Sequence, residues 1–201
     1  NFNADAAVVT FTGYSIHPGS AKDKMKNSQN IAMEFHAMLP AAQRPEYTDG
    51  YEGFIHLTDS KGSTERTVYQ YIIRDHDREK LLEKGELMRR AAAFLNGKYG
   101  EGSVQVEITE TYRNMKEKIL LVPEVIALAE QAIRAVGLEP TSQPVRGGTD
   151  GATLSYMGLP CPNLGTGGMN AHGRYECCTL EGMEQCVNIV LEIVKGVAAQ
   201  A

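Results

Sequence analysis

FIHLTDSKGSTERTVYQYIIR (residues 54–74) reads as two strands and the turn between them. Phe54 to Leu57 and Arg66 to Arg74 are rich in β-branched and aromatic residues, and the turn contains Lys61 and Gly62. A helical pattern flanks this hairpin on each side. Upstream, Asn27 to Leu39 carries Ile31, Phe35 and Met38 at helical spacing, and Pro40 stops it. A loop of Pro, Tyr, Asp and Gly (residues 40–53) leads into the hairpin. Downstream, Glu79 to Leu95 sets Leu81, Met88, Ala92 and Leu95 on one helix face. Further out come strands again. Ala6 to Thr12 (AAVVTFT) is apolar and β-branched and ends at Gly13, while Val104, Val106 and Ile108 alternate with Gln105, Glu107 and Thr109. The order βαββαβ predicts a ferredoxin-like α+β unit, with two helices on one face of a four-stranded antiparallel sheet. Such a unit says little about function by itself.

The pattern changes between Asn114 and Leu121. Pro123 suits a first helical turn, Ile126, Ala129, Ile133 and Val136 form an apolar stripe, and Gly137 ends the helix. A glycine-rich loop (residues 146–151, RGGTDG) precedes a short helix ending near Gly158. Leu159 to Leu164 reads as a short strand or extended segment. Thr179 can cap a last helix whose inner face is Met183, Cys186, Val190, Val194 and Val197. This is a piece of an α/β sandwich, short of a sheet of its own.

A net charge of −5 argues against a large nucleic-acid footprint. No apolar run is long enough to span a membrane, and no segment has a signal-peptide layout. The chain opens on Asn1 and a strand pattern begins by Ala6, so a longer gene product is expected. Cys161, Cys177, Cys178 and Cys186 form no C-x-x-C pair and are expected to be reduced, mostly buried thiols.

Several residues could carry chemistry. His17 precedes Pro18, which holds it extended on a rigid turn, where an imidazole can donate to a carbonyl oxygen that is becoming negative. The bland alternative is a surface turn histidine. Arg74 shares a strand face with Val68, Gln70 and Ile72 and could grip a carboxylate through two donors. Its alternative is an ion pair with Asp75 or Asp77. Arg146, Gly148 and Thr149 stand in the glycine-rich loop, where backbone can approach an anionic ligand closely. The alternative there is a tight connecting turn, with Thr149 or Asp150 as a cap. His172, followed by Glu176, reads alone as an ordinary loop histidine, since zinc wants about four ligands.

The ensemble is more specific than its parts. Asn1-Phe2-Asn3, IHPGSAK (16–22), GYEGF (50–54), YIIRD (71–75), RGGTDG (146–151), MGLPCPNL (157–164), His172-Gly173 with Glu176, and TLEGM (179–183) occur in one order. Together they closely resemble the C-terminal half of a tripeptide-cleaving member of the large family of co-catalytic zinc peptidases and aminoacylases. The resemblance covers essentially the whole chain.

That resemblance implies a lid domain near residues 5–113 and, over 114–201, the returning part of an α/β catalytic domain. It implies zinc as cofactor, two ions per whole enzyme, with His172 as the last metal ligand and Glu176 orienting it. It implies that His17 reaches the scissile carbonyl. Arg74, Arg146, Gly148 and Thr149 would hold the far carboxylate of a short peptide. It implies a cytoplasmic enzyme acting on neither nucleic acid nor membrane. A homodimer through the lid is expected because the edge of such a sheet can pair with a copy of itself. The family's other metal ligands and its general base have no counterpart here, so the chain is expected to be inactive alone. Two rival readings stand beside it: a non-catalytic lid or dimerisation module, and an acyl-amino acid deacylase.

Overall fold

The computed structural model describes residues 1–199, and Gln200 and Ala201, the last two of the second expected domain, lie outside the described residues. The chain forms two units, one of Asn1–Asn114 with Pro144–Gly148, the other of Met115–Gln143 with Thr149 onward.

In the first unit, β1 (Asn3–Thr12) is the central strand. It pairs antiparallel with β3 (Arg66–Asp75) on one side and β4 (Val104–Tyr112) on the other. The strand β2 (Phe54–Gly62) adds outside β3, giving the order β2-β3-β1-β4. The helices α1 (Ser28–Met38) and α2 (Arg78–Tyr99) complete the βαββαβ order. The strands run longer than their apolar pattern suggests. Asn3 to Asp5 continue β1 because their backbone still finds partners from Asp75 to Ile73. Beyond Leu57, β2 continues through a register shift.

Period two turns Ala7, Val9 and Phe11 of β1 toward the helices. They are buried with Ile31 and Phe35 of α1, Tyr71 and Ile73 of β3, and Leu81, Met88 and Leu95 of α2. Each large side chain buried there contributes roughly 1.5–3 kcal/mol. Both helices start on side-chain caps. Asn27 accepts from the Gln29 N–H at 2.9 Å, and Asp77 accepts from Glu79 and Lys80 at 2.8 and 3.1 Å.

His36 sits at the rim of this core, its Nδ1 3.1 Å from the Tyr71 hydroxyl. Burial holds its pKa below the ordinary imidazole value, and the Arg44 charge lowers it further. The neutral ring is therefore the native form, and the unfolded chain binds the proton first as pH falls. Stability is fully present above the unfolded value of 6.5 and is lost as pH drops through the folded one. The melting temperature of the first unit is expected to fall between about pH 7.5 and 5.5, and His36→Gln to flatten that slope. A slope unchanged by the substitution would refute the assignment.

In the second unit, α3 (Lys116–Ile119) leads to α4 (Pro123–Ala135), α5 (Asp150–Tyr156), a two-stranded ladder of β5 (Gly168–Met169) with β6 (Cys177–Cys178), and α6 (Leu180–Ala198). Gly137 and Gly158, at φ +83° and +100°, end α4 and α5 in the left-handed conformation that favours glycine. Thr179 caps α6, accepting from the Gly182 N–H at 3.1 Å. A Cβ on Gly196 would lie 2.5 Å from Leu128 Cδ1, so α4 and α6 approach closely there.

Three expectations change here. Leu159 to Leu164 has no regular secondary structure and joins no ladder among the described residues, and Pro160 and Pro162 have no N–H to offer one. The apolar face of α6 is not an inner face in this chain: Val190 and Val194 are 49% and 59% exposed. Its periodicity is present, but no sheet covers it. The four cysteines are free, yet none is buried, and Cys177 and Cys178 lie exposed on the short ladder.

Candidate functional site

One rung crosses all four strands at the end of the first unit's sheet. Phe54 of β2 faces Arg74 of β3, Arg74 faces Ala4 of β1, and Ala4 faces Tyr112 of β4. Arg74 Nη1 donates to the carbonyls of Asp5 and Ile73 at 3.0 and 2.9 Å, and its guanidinium lies 5.3 Å above the Tyr112 ring. The ion pair with Asp75 or Asp77 does not form. Neighbours on a strand point to opposite faces, and Asp75 instead takes Lys84 Nζ at 2.6 Å, while Asp77 caps α2.

Residues 144–148, placed by the sequence reading in the second half, pack on this rung. Gly148 meets Tyr112 so closely that a Cβ would lie 2.4 Å from its Cζ. The Phe2 N–H donates to the Gly147 carbonyl at 3.3 Å. Arg146 reaches into the loop before β2. Its Nη1 donates to the carbonyls of Gly50 and Glu52 at 2.9 and 2.8 Å, and its Nη2 to the Thr48 carbonyl and hydroxyl at 3.3 and 2.9 Å. The guanidinium also lies 5.3 Å from the Phe2 ring centre and 5.9 Å from that of Phe54. Arg74, Arg146 and Gly148 thus come together.

His17 does not join them. It follows the far end of β1, where Thr12 pairs with Arg66, eight positions along the ladder from the Ala4–Arg74 pair. At φ −54° and ψ 125° it has the extended backbone that a following proline imposes. Its Nδ1 accepts from the Gly19 N–H at 3.1 Å. An accepting Nδ1 places the proton of the neutral ring on Nε2, so the exposed nitrogen is a donor.

The remaining candidates belong to the second unit. Thr149 takes the cap position of α5 without a side-chain cap bond, and its buried Oγ1 has no hydrogen-bond partner among the described residues. His172 is exposed at φ +61°, a left-handed position uncommon for a side-chain-bearing residue. Glu176 accepts from the His172 backbone N–H at 3.2 Å. It therefore holds the loop, and its carboxylate is bonded to the main chain.

Tyr112 and Phe54 stand on the rung and Phe2 packs on Phe54, and the sequence reading assigned none of them a role. Phe2 and Phe54 lie in quoted motifs and carried a signal. Tyr112 carried none, being the last residue of an alternating strand.

A zinc ion takes about four ligands. Among the described residues no three His, Cys, Asp or Glu side chains come together in a metal-holding group. His172 alone does not fit a two-zinc centre. No helix among the described residues is long and apolar enough to cross a membrane.

The chain is 51% identical over 195 residues to Peptidase T of Alkaliphilus oremlandii, covering 97% of this chain and 48% of that protein. It is 48% identical over 201 residues to Peptidase T of Bacillus subtilis, covering 100% of this chain and 49% of that protein. The chain spans about half the length of the curated relatives it matches. The fold is shared with the crystal structure of aminopeptidase PepT from Bacillus cereus, at a TM-score of 0.78 and 20% identity over 98% of this chain and 52% of that one. It is shared too with a tripeptidase from Staphylococcus aureus, at a TM-score of 0.79 and 20% identity over the same shares of 98% and 52%. Residues 1–103, slightly more than half of the chain, match the model of the peptidase dimerisation domain, and the chain belongs to that family.

Proposed function

We propose that these 201 residues are the C-terminal half of a cytoplasmic, metal-dependent tripeptide aminopeptidase, with the first unit as its lid. The observation that carries this reading is the 51% identity to a Peptidase T over 97% of the chain. In it, the outward Nε2–H of His17 donates to the scissile carbonyl oxygen as negative charge develops there. Arg74 faces the carboxylate end of the peptide, and Gly148 lines the same pocket. His172 offers one imidazole to a two-zinc centre whose other ligands are not among these residues, and Glu176 fixes its loop. The zinc ions, when bound, would polarise the scissile carbonyl and activate water. The half-exposed apolar face of α6 supports this reading, since a helix with such a stripe belongs against a sheet. Two copies pairing through their lids complete the proposal.

The test uses two proteins, the 201-residue chain alone and a chimera in which it follows the first half of the Bacillus subtilis Peptidase T. The chain alone is expected to bind no zinc tightly and cleave no tripeptide. The chimera is expected to retain about two zinc ions per chain and to release N-terminal residues from tripeptides. Cleavage by the chain alone, or a folded, zinc-loaded chimera that leaves tripeptides intact, would overturn the reading.

A further inference from the structure

We propose that Arg146 is a positioning residue that fastens the glycine-rich loop to the lid, and is not a ligand for the substrate carboxylate. A guanidinium has five N–H donors. Four hydrogen bonds run from Nη1 and Nη2 of Arg146 to Thr48, Gly50 and Glu52, between 2.8 and 3.3 Å. Only Nε remains outside that set, so the side chain has no paired donors left to meet a carboxylate edge-on.

The loop it holds is shaped to receive it. Gly50 is left-handed at φ +51°, and the Asp49 N–H bonds the Glu52 carboxylate at 2.9 Å, which curls the segment so that three carbonyls converge. The rings of Phe2 and Phe54 lie 5.3 and 5.9 Å from the guanidinium and add cation–π attraction to these bonds. A lysine could not reproduce this, because one ammonium cannot span three carbonyls in the plane of a fork.

The consequence concerns the motif RGGTDG. Its first half, through Gly148, belongs to the lid, and from Thr149 onward it belongs to the other unit. With Arg146 fastened, Gly147 and Gly148 are held to the segment of residues 48–52.

Amide hydrogen exchange on the 201-residue chain tests the fastening without any activity. In Arg146→Ala, peptides covering residues 45–53 and 144–148 are expected to exchange about ten times faster, with the β1–β3 ladder unchanged and Arg146→Lys giving no recovery. Exchange unchanged in those peptides would overturn the proposal. A second arm rests on the tripeptidase reading and uses the active chimera. Arg146→Ala is expected to lower kcat/KM for a tripeptide and for its C-terminal amide by the same factor. A collapse of the preference for the free carboxylate would mean that Arg146 binds it, and would sink the proposal. Should the chimera lack activity, the tripeptidase reading fails while the exchange result still decides the role of Arg146.

Discussion

In the chimera, a heterodimer of one His17→Ala copy and one Arg74→Ala copy is expected to recover about half of the activity of the unsubstituted chimera, where each homodimeric variant has almost none. The prediction rests on the proposed function and on the first unit's sheet. Loss of an oxyanion donor such as His17 costs about 10²- to 10³-fold in kcat. Loss of two charge-assisted bonds from Arg74 costs on the order of a hundredfold. The Thr12–Arg66 pair, after which His17 follows, is eight ladder positions from the Ala4–Arg74 pair, or about 27 Å at 3.4 Å per residue. An extended tripeptide reaches only about 10 Å. The Tyr14–Lys26 bridge and the bond from the Ser15 N–H to Glu65 keep the chain before His17 at the far end. One lid therefore does not bring both groups to one peptide, and a second copy of the chain can supply the other. In a two-fold dimer each site then takes Arg74 from one copy and His17 from its partner. The heterodimer has one site with both groups intact and one with neither. Isolated through two different tags, it should show half activity. No recovery in a folded, zinc-loaded heterodimer would place both residues in the same copy or remove one from the site.

The order of elements in the first unit was legible because each one carries its own periodicity. Val104, Val106 and Ile108 show the half-buried strand, and Ile31 and Phe35 the buried helix face, with no reference to partners. Strand ends were less legible. Asn3 and Asp5 are buried polar residues, and only the ladder to Asp75 and Ile73 makes them strand. In the site, the turn of His17 followed from Pro18. The donor that fixes its tautomer, the Gly19 N–H, required coordinates. Arg146 shows the limit most plainly. Its charge and its glycine neighbours suggested an anion, whereas its acceptors are three main-chain carbonyls and one threonine hydroxyl 94 to 98 positions away. Main-chain carbonyls leave no mark in a sequence. The α6 stripe was readable as a stripe, but its exposure was not, since Val190 and Val194 stay half-exposed in the fold.

Gly53→Ala and Lys84→Ala are each expected to destabilise the lid by about 3 kcal/mol or more, and their effects should not add, because both act on Asp75. Asp75 is 2% exposed and Lys84 9%, with Nζ 2.6 Å from Oδ2. The other carboxylate oxygen accepts from the Asp77 N–H at 2.9 Å, just ahead of the α2 cap. Removing the lysine leaves a buried carboxylate with one main-chain donor, an arrangement that costs about 3–5 kcal/mol. Gly53 lies against the same group. A Cβ there would stand 2.2 Å from Asp75 Oδ2 and 2.4 Å from the Arg74 carbonyl, and the carbonyl cannot yield without moving β3. The strain would pass directly to the rung that carries Arg74. Urea unfolding of the four proteins of the double-mutant cycle measures the coupling. The charge argument has its own control. Lys84→Met combined with Asp75→Asn keeps the volume and removes both charges, so it should regain at least about 1–2 kcal/mol over Lys84→Met alone. If Lys84→Ala costs less than about 1 kcal/mol, water reaches Asp75 in the folded lid and the pair behaves as a surface ion pair.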